Sequence, residues 1–492
     1  MTISHPIAAR AARPGVVLDF AFMRRAALVL GVVLLMVTPF STDPLAFAAG
    51  SLAPWLLVSI IGKPNMPVAL IFFVLWQWAQ VFARVLQCMV DGESLSSGFY
   101  GSSVAQAYWY MLSSVVVLAV AIRIVLSSLP RPTPEEERAH LSWRPSDLFV
   151  LYIATLFLAV ACGFASRIIP TLGQQFEAVS RLKIVAEFLL FTTVMATGRG
   201  AKFMLAAVLF EIMIGFSGLL SDFRGVFIYL GIAAIAARIR LSAASILGGI
   251  VWFMVLITLG LFWTAVKVDY REFASGGMET QAFSVPLSER LAYLGTMAVS
   301  PGKIDWSQAS YAMLSRFAYV DIFGSVIAYQ EFARDTPIGG QWEAAFDHVF
   351  KPRFLFPNKR ALSDTETYVR LSGANPDEVV RESTSISVGY MGENYVDFGF
   401  PGMLAGIFVL GVLIALVVRY FMRTPLPWMV RQGIVMAFVY NIAGTGVEIS
   451  LPKLFGATVM YFLVYLLLVK FAAPYGLTWL QNRSGGARRQ PT

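Results

Sequence analysis

The sequence predicts an all-α polytopic membrane protein, with about 12 transmembrane helices and one large, partly helical loop between the ninth and tenth. Three observations predict it. Apolar residues make up 57% of the 492-residue chain and charged residues only 14%, against about 45–50% and about 25% in soluble domains. The apolar residues fall into runs near the roughly 20 residues that a bilayer crossing needs. The Lys and Arg between those runs are shared unevenly between alternate loops, as cytoplasmic retention of positive charge requires. Such a composition excludes a water-soluble globule, which needs a charged surface, and disorder, which needs low hydrophobicity. With two Cys, and 39 Gly that follow no period of three, disulfide-dense and collagen-like folds are excluded as well.

The candidate spans are 26–40, 46–62, 67–88, 104–128, 147–168, 182–197, 201–220, 225–238, 243–267, 401–421, 427–447 and 453–471. The first two and the eighth are short. With the N-terminus inside, the inner segments and tail hold nineteen Lys and Arg and the short outer loops five. Both termini are then cytoplasmic, which an even number of crossings satisfies. Ala26–Phe40 lacks a convincing small-residue cleavage site and is expected to be a first span. The net charge of +8 is spread over many loops and forms no single stripe, so no nucleic-acid partner is expected. The chain divides into a bundle at 1–268, an outer region at 269–400, three further spans at 401–471 and a basic tail at 472–492.

From Lys267 to Phe400 no apolar run is long enough to cross a membrane, and the stretch holds 12 Lys/Arg and 17 Asp/Glu. By alternation it lies outside. A region this long is usually functional. Met313, Phe317, Val320, Phe323 and Ile327 recur at three- and four-residue spacing, which predicts a helix over Tyr311–Phe332 lying on the outer mouth of the bundle.

The outer face carries the candidate chemistry. Only three His occur, so no metal site is expected; no phosphate-binding loop of the G-x-x-x-x-G-K-[ST] form occurs either, and no cofactor is expected. Cys88 and Cys162 both fall in spans and read as packing residues. Asp222 and Arg224 occupy a tight outer turn, where Arg224 either grips an anion at headgroup level or marks the interface. Arg316 and Asp321 follow on the predicted helix. Lys351-Pro-Arg353-Phe-Leu-Phe-Pro-Asn-Lys359-Arg360 interleaves four cations with two prolines, a stiff segment suited to phosphate or a solvated basic loop. Asp364 comes next. In Ser385–Gly399, Glu393 and Asp397 share a helix face and suit acid/base work. Tyr390 and Tyr395 suit stacking on sugar rings or an interfacial aromatic belt. Within the spans, Glu187, Glu211, Arg84 and Arg123 stand out, because intramembrane charge is costly.

The order of these features, with Phe216–Gly225, Arg316–Asp321, Pro352–Lys359 and Ser385–Gly399 around one large outer loop, resembles the bacterial polysaccharide repeat-unit polymerases of the Wzy type. The resemblance implies an inner-membrane enzyme facing the periplasm. It would transfer a growing glycan from one undecaprenyl diphosphate carrier onto a second carrier-linked repeat unit, without a metal. By motif, Arg224, Arg316, Arg353 and Lys359 would grip the diphosphate. Glu393 would lead the acid/base candidates, ahead of Asp321, Asp364 and Asp397, and Tyr390 and Tyr395 would meet the sugar. Donor and acceptor glycan-lipids, membrane lipid and a chain-length regulator are the partners implied. Two rival readings stay open. One is an O-antigen ligase of like architecture. The other is a transporter of lipid-linked sugars, kept alive by Glu211.

Overall fold

A computed structural model describes residues 16–217, 223–276, 284–300, 302, 304–333, 338–351, 356, 362–376 and 386–485. Among them the regular structure is helical, apart from a single β-bridge between Val17 and Arg240. The elements that build the bundle are α1 (Phe20–Leu35), α2 (Pro44–Ile61), α3 (Ala69–Asp91), α4 (Ser102–Leu126), the short α5 (Pro134–Arg138), α6 (Pro145–Ile168), α7 (Gly173–Ser180), α8 (Leu182–Thr197), α9 (Ala201–Ser217), α10 (Arg224–Ala236) and α11 (Ala243–Ser275). Five helices of 9–13 residues follow: α12 (Leu287–Ala298), α13 (Trp306–Phe317), α14 (Val320–Phe332), α15 (Gln341–Phe350) and α16 (Asp364–Ser372). The chain then returns through α17 (Gly389–Met422), α18 (Trp428–Ala443), α19 (Leu451–Leu467) and α20 (Ala473–Gly485).

Local chemistry explains most of the boundaries. Pro44 and Pro145 stand in the first turns of α2 and α6, where the missing N–H costs nothing. Ser242 and Ser245 form a reciprocal cap at the start of α11, and Thr133 and Glu136 do the same for α5. Gly92 (φ 70°) and Gly198 (φ 67°) end α3 and α8 in the left-handed conformation, which glycine adopts without steric penalty.

Each of the twelve predicted apolar segments is helical over most of its described residues, but among the described residues only seven helical stretches are long and apolar enough to cross a membrane: Pro44–Ile61, Ala69–Asp91, Ser102–Leu126, Pro145–Ile168, Ala243–Ser275, Gly389–Met422 and Leu451–Arg483, the last running from α19 through a π-helical turn, Leu468–Ala472, into α20. The others, α1, α8, α9, α10 and α18, have 16, 16, 17, 13 and 16 residues. At 1.5 Å per residue each falls short of a hydrocarbon layer of about 30 Å. Glycine or a charged residue follows the end of three of them: Gly198–Arg199 after α8, Arg238 after α10 and Gly444 after α18.

The seven long helices differ in how they are clothed. Of α3's apolar window 61% is buried by protein, whereas none of α11's is, though its mean hydropathy is 2.3. An apolar helix whose window has no fully buried residue is stable only in an apolar surrounding; the chain is a helical membrane protein. At the centre α17 lies along α4. A Cβ on Gly411 would approach that of Ala121 to 2.8 Å, so the absence of a side chain sets how closely the two helices pack.

The predicted helix over Tyr311–Phe332 is instead two, α13 and α14, broken at Ala318–Tyr319. The apolar face is as the spacing predicts, but α14 turns it inward: Val320, Phe323, Val326 and Ile327 are buried. Arg316 and Asp321 therefore stand on different helices and point to different partners.

Candidate functional site

α13 is fixed against α3 by two contacts. Gln87 Nε2 donates to Ser315 Oγ (3.0 Å), and the Phe317 ring meets Trp76 edge-on with centroids 4.9 Å apart. Arg316, between them, stays exposed. It interacts electrostatically with Lys267 and Arg271 on the last turns of α11. Arg224, the first residue of α10, lies with its guanidinium carbon 5.9 Å from the centre of the same Trp76 ring. Its Nη2 reaches the Gly444 carbonyl at 3.4 Å.

A single carboxylate, Glu448, feels both Arg224 and Arg316. It sits in a one-turn 3-10 segment, Gly446–Glu448, between α18 and α19. Gln80 from α3 clamps that turn. Its Oε1 accepts from Val447 N (2.9 Å), and its Nε2 donates to the Thr445 carbonyl (3.1 Å) and to Glu448 Oε1 (3.0 Å). Gly446 (φ 70°) is needed here twice over: the backbone is left-handed, and a Cβ would fall 1.8 Å from Gln80 Oε1. Burial raises the pKa of Glu448 above the ordinary carboxylate range, while Arg224, Arg316 and the Gln80 amide pull it back down.

The result is a mouth with four cations and one acid. Among the described residues, none of Arg224, Lys267, Arg271 and Arg316 makes an ion pair with a carboxylate within 4.0 Å. Arg271 Nε is buried without a hydrogen-bond partner. Like charges gathered without counter-charge cost free energy unless an anion joins them. Arg forks present paired donors that match phosphate oxygens.

The four acids that the sequence singles out lie elsewhere and are bonded to their own chain. Asp321 ion-pairs with Arg84 (2.9 Å); burial raises its pKa, and Arg84 opposes the rise. Asp364 accepts from Ser450 Oγ (3.0 Å) and Lys453 Nζ (2.6 Å), tying α16 to the start of α19. Asp397 accepts from the backbone N–H of Gln341 (2.9 Å) and Trp342 (2.8 Å), so it caps α15 from another helix. Glu393 is buried, its Oε2 accepting from Leu451 N at 2.5 Å. It shares a neighbourhood with Asp364, Asp397 and Arg370.

Tyr390 is buried, with its hydroxyl donating to Gln77 Oε1 at 2.5 Å. Tyr395 packs on Tyr110 and Phe323 at centroid distances of 5.9 and 5.5 Å. Both rings fill the joint between α17 and its neighbours rather than an open groove. Of the predicted phosphate grip, Arg224 and Arg316 are brought together; Arg353 and Lys359 lie outside the described residues, as does Asp222. The sequence alone did not single out Lys267, Arg271 or Glu448. The one available signal was that Lys267 and Arg271 stand a helical turn apart at the end of a span, one above the other.

Of the intramembrane charges, Arg84 is paired with Asp321 and Glu211 with Lys183. Lys183 Nζ lies 2.5 Å from Glu211 Oε2, and the Tyr152 hydroxyl donates to Glu211 Oε1 (2.9 Å). Cys88 and Cys162 are buried free thiols. Among the described residues no three His, Cys, Asp or Glu side chains converge in a way that would hold a metal ion. Compared with known protein families, curated proteins and solved structures, the chain matches none.

Proposed function

We propose that the chain is a lipid-linked oligosaccharide polymerase of the inner membrane, working at the mouth formed by Arg224, Lys267, Arg271, Arg316 and Glu448. The observation that carries this reading is that Arg224 and Arg316 both act on the half-buried Glu448 at the edge of an apolar bundle, with Lys267 and Arg271 gathered beside Arg316. In this reading all twelve apolar helices cross or enter the membrane, both termini are cytoplasmic, and α12–α16 form the periplasmic region. The loop-by-loop excess of Lys and Arg supports that orientation.

The chemistry follows from the charges. The donor is a glycan joined through its anomeric carbon to undecaprenyl diphosphate. An acceptor hydroxyl, on the sugar of a second carrier-linked unit, attacks that carbon. The bond from carbon to diphosphate oxygen breaks and the new glycosidic bond forms. The hydroxyl proton passes to Glu448, and the diphosphate leaves with an added negative charge that Arg271, Arg316, Lys267 and Arg224 stabilise in place. The Trp76 and Phe317 rings exclude water from one side of the cluster. Arg353 and Lys359 belong to the same grip by resemblance of their motif, and a chain-length regulator is a partner on the same ground.

The test is reconstitution. Purified full-length protein incubated with undecaprenyl-diphosphate-linked repeat units should yield a product ladder on a gel. The Arg271→Gln/Arg316→Gln double variant should yield none while inserting normally. Transfer of glycan only when lipid A core is supplied would convert the assignment to a ligase. Movement of intact carrier-linked sugar across liposomes with no new glycosidic bond would replace both with a transporter. The paired Lys183–Glu211 charges would then be the residues to examine.

A further inference from the structure

α10 and α18 each run from one cationic region to another. Arg224 opens α10 and Gly444 follows α18 at the mouth already described. The other ends of the same two helices border a second cavity, of about 760 Å³, lined among others by Arg24, Lys63, Arg138, His140, Arg238 and Trp428. That volume lies within the usual range of ligand sites, roughly 300–1,000 Å³.

The charge inventory of this cavity is unbalanced. Its two acids are both committed. Asp19 accepts from Phe22 N (2.8 Å) and starts α1. Glu137 holds Arg238 through two bonds of 3.0 and 2.8 Å. Arg24, Lys63 and Arg138 are left with no carboxylate within 4.0 Å among the described residues. Cations beyond helix C-termini are commonplace, because they complement the dipole, and Lys63 and Arg238 answer to that description. Two further features do not.

His140 is 3% exposed, and neither ring nitrogen has a well-formed hydrogen bond. Burial pushes the imidazole down to about 4, against a smaller upward pull from the Glu137 backbone, so at neutral pH the ring offers one donor and one acceptor. The Glu137 backbone meets at most one of the two ring nitrogens, so at least one is buried without a partner, which costs free energy unless a ligand meets it. Arg238 is the only non-glycine residue described with a positive φ, at 48°, a strained conformation that persists where the surroundings impose it. It is held there by Glu137 and by the pairing of its neighbours with the segment before α1, Leu18 N to the Ile239 carbonyl and Leu241 N to the Val16 carbonyl.

We propose that this cavity is a second binding site, for a phosphate-bearing anion, at the opposite end of α10 and α18 from the catalytic mouth. Lys63 and Arg138 are its charge contacts, His140 its neutral hydrogen-bonding group and Trp428 its apolar wall. The inference does not rest on the polymerase reading. The phosphate could belong to an anionic lipid headgroup or to a soluble phosphate ester, and the experiment separates the two.

The experiment uses the full chain with Arg271→Gln and Arg316→Gln, which silences the other mouth. In one arm the protein, held in phosphatidylcholine nanodiscs, is titrated with pyrophosphate by calorimetry. In the other, native mass spectrometry counts phosphatidylglycerol retained from mixed vesicles. The expected result is saturable binding in at least one arm, with affinity or retention falling at least about tenfold when Arg24→Gln, Lys63→Gln and Arg138→Gln are added. The charge-conserving pair Lys63→Arg and Arg138→Lys should keep it, which guards against misfolding as the cause of the loss. Binding of pyrophosphate alone identifies a soluble ligand, and retention of phosphatidylglycerol alone a lipid. Binding in neither arm, or binding equal in the parent and the Gln variant, overturns the proposal.

Discussion

The acids around Glu393 and the cations around Arg316 stand on adjoining parts of the fold, yet they are treated in opposite ways. Asp364, Asp397 and Glu393 each have donors from their own chain at 2.5–3.0 Å. Arg316, Arg271 and Lys267 face one another and lack a carboxylate partner among the described residues. Charge that the chain neutralises itself is holding the fold together. Charge that it concentrates and leaves open is held for something else. Asp397 pins the short helix α15 to α17, and Asp364 pins α16 to the start of α19.

The sharpest way to break this contrast is to remove cations. Arg271→Gln/Arg316→Gln should lower polymer formation by roughly 10²–10³-fold, the usual cost of losing a preorganised charge contact, with unchanged membrane insertion and melting temperature. Product length on a gel reads it out, and near-normal ladders would end the phosphate-grip idea.

Next in size is Glu448→Gln, with an expected loss of roughly 10²–10⁴-fold. Its pH profile carries a sign. Burial raises the Glu448 pKa, so the base form is lost on acidification at a higher pH than the ~4.3 of a free Glu side chain. Arg224 pulls that pKa down. Arg224→Gln should therefore shift the acid limb further up the pH scale, whereas Asp397→Asn should leave it in place. A limb unmoved by Arg224→Gln would separate Glu448 from the chemistry.

Smaller effects test the acid half. Asp397→Ala removes the cap of α15 and should cost about 1 kcal/mol of stability, seen in thermal melts, with turnover per folded molecule preserved. Glu393→Ala strands the buried Leu451 N–H and should cost about 1–3 kcal/mol. Glu393→Gln keeps an acceptor there and should cost much less. Were Glu393→Gln to melt normally but make no polymer, Glu393 would return as the proton acceptor and the contrast would invert.

Much of the fold was legible because lipid imposes a one-dimensional rule: each of the twelve apolar runs became a helix. Its lengths were less legible. The ends of α10 and α18 depend on capping and on neighbouring turns, and hydropathy reads neither. Arg224 and Arg316 were legible as cations outside the apolar runs. Glu448 was not, since a lone acid in Thr445-Gly-Val-Glu448 acquires meaning only when α3 brings Gln80 and α13 brings Arg316 to it. Asp397 stood out because it shares a helix face with Glu393, and its capping role was not legible because the N-terminus it caps lies more than fifty residues earlier.

α10 has only 13 residues and α18 only 16, so the two cation-lined openings are separated by about 20–24 Å of helix. A hydrocarbon slab of about 30 Å is thicker. The protein thus has a narrow waist, and an anion seated at either opening sits below the level of the surrounding headgroups. Under the proposed function, a carrier lipid presents its diphosphate sideways from within the leaflet rather than lifting it into water, and the acyl-chain length of the host membrane becomes a variable that tunes how easily it does so.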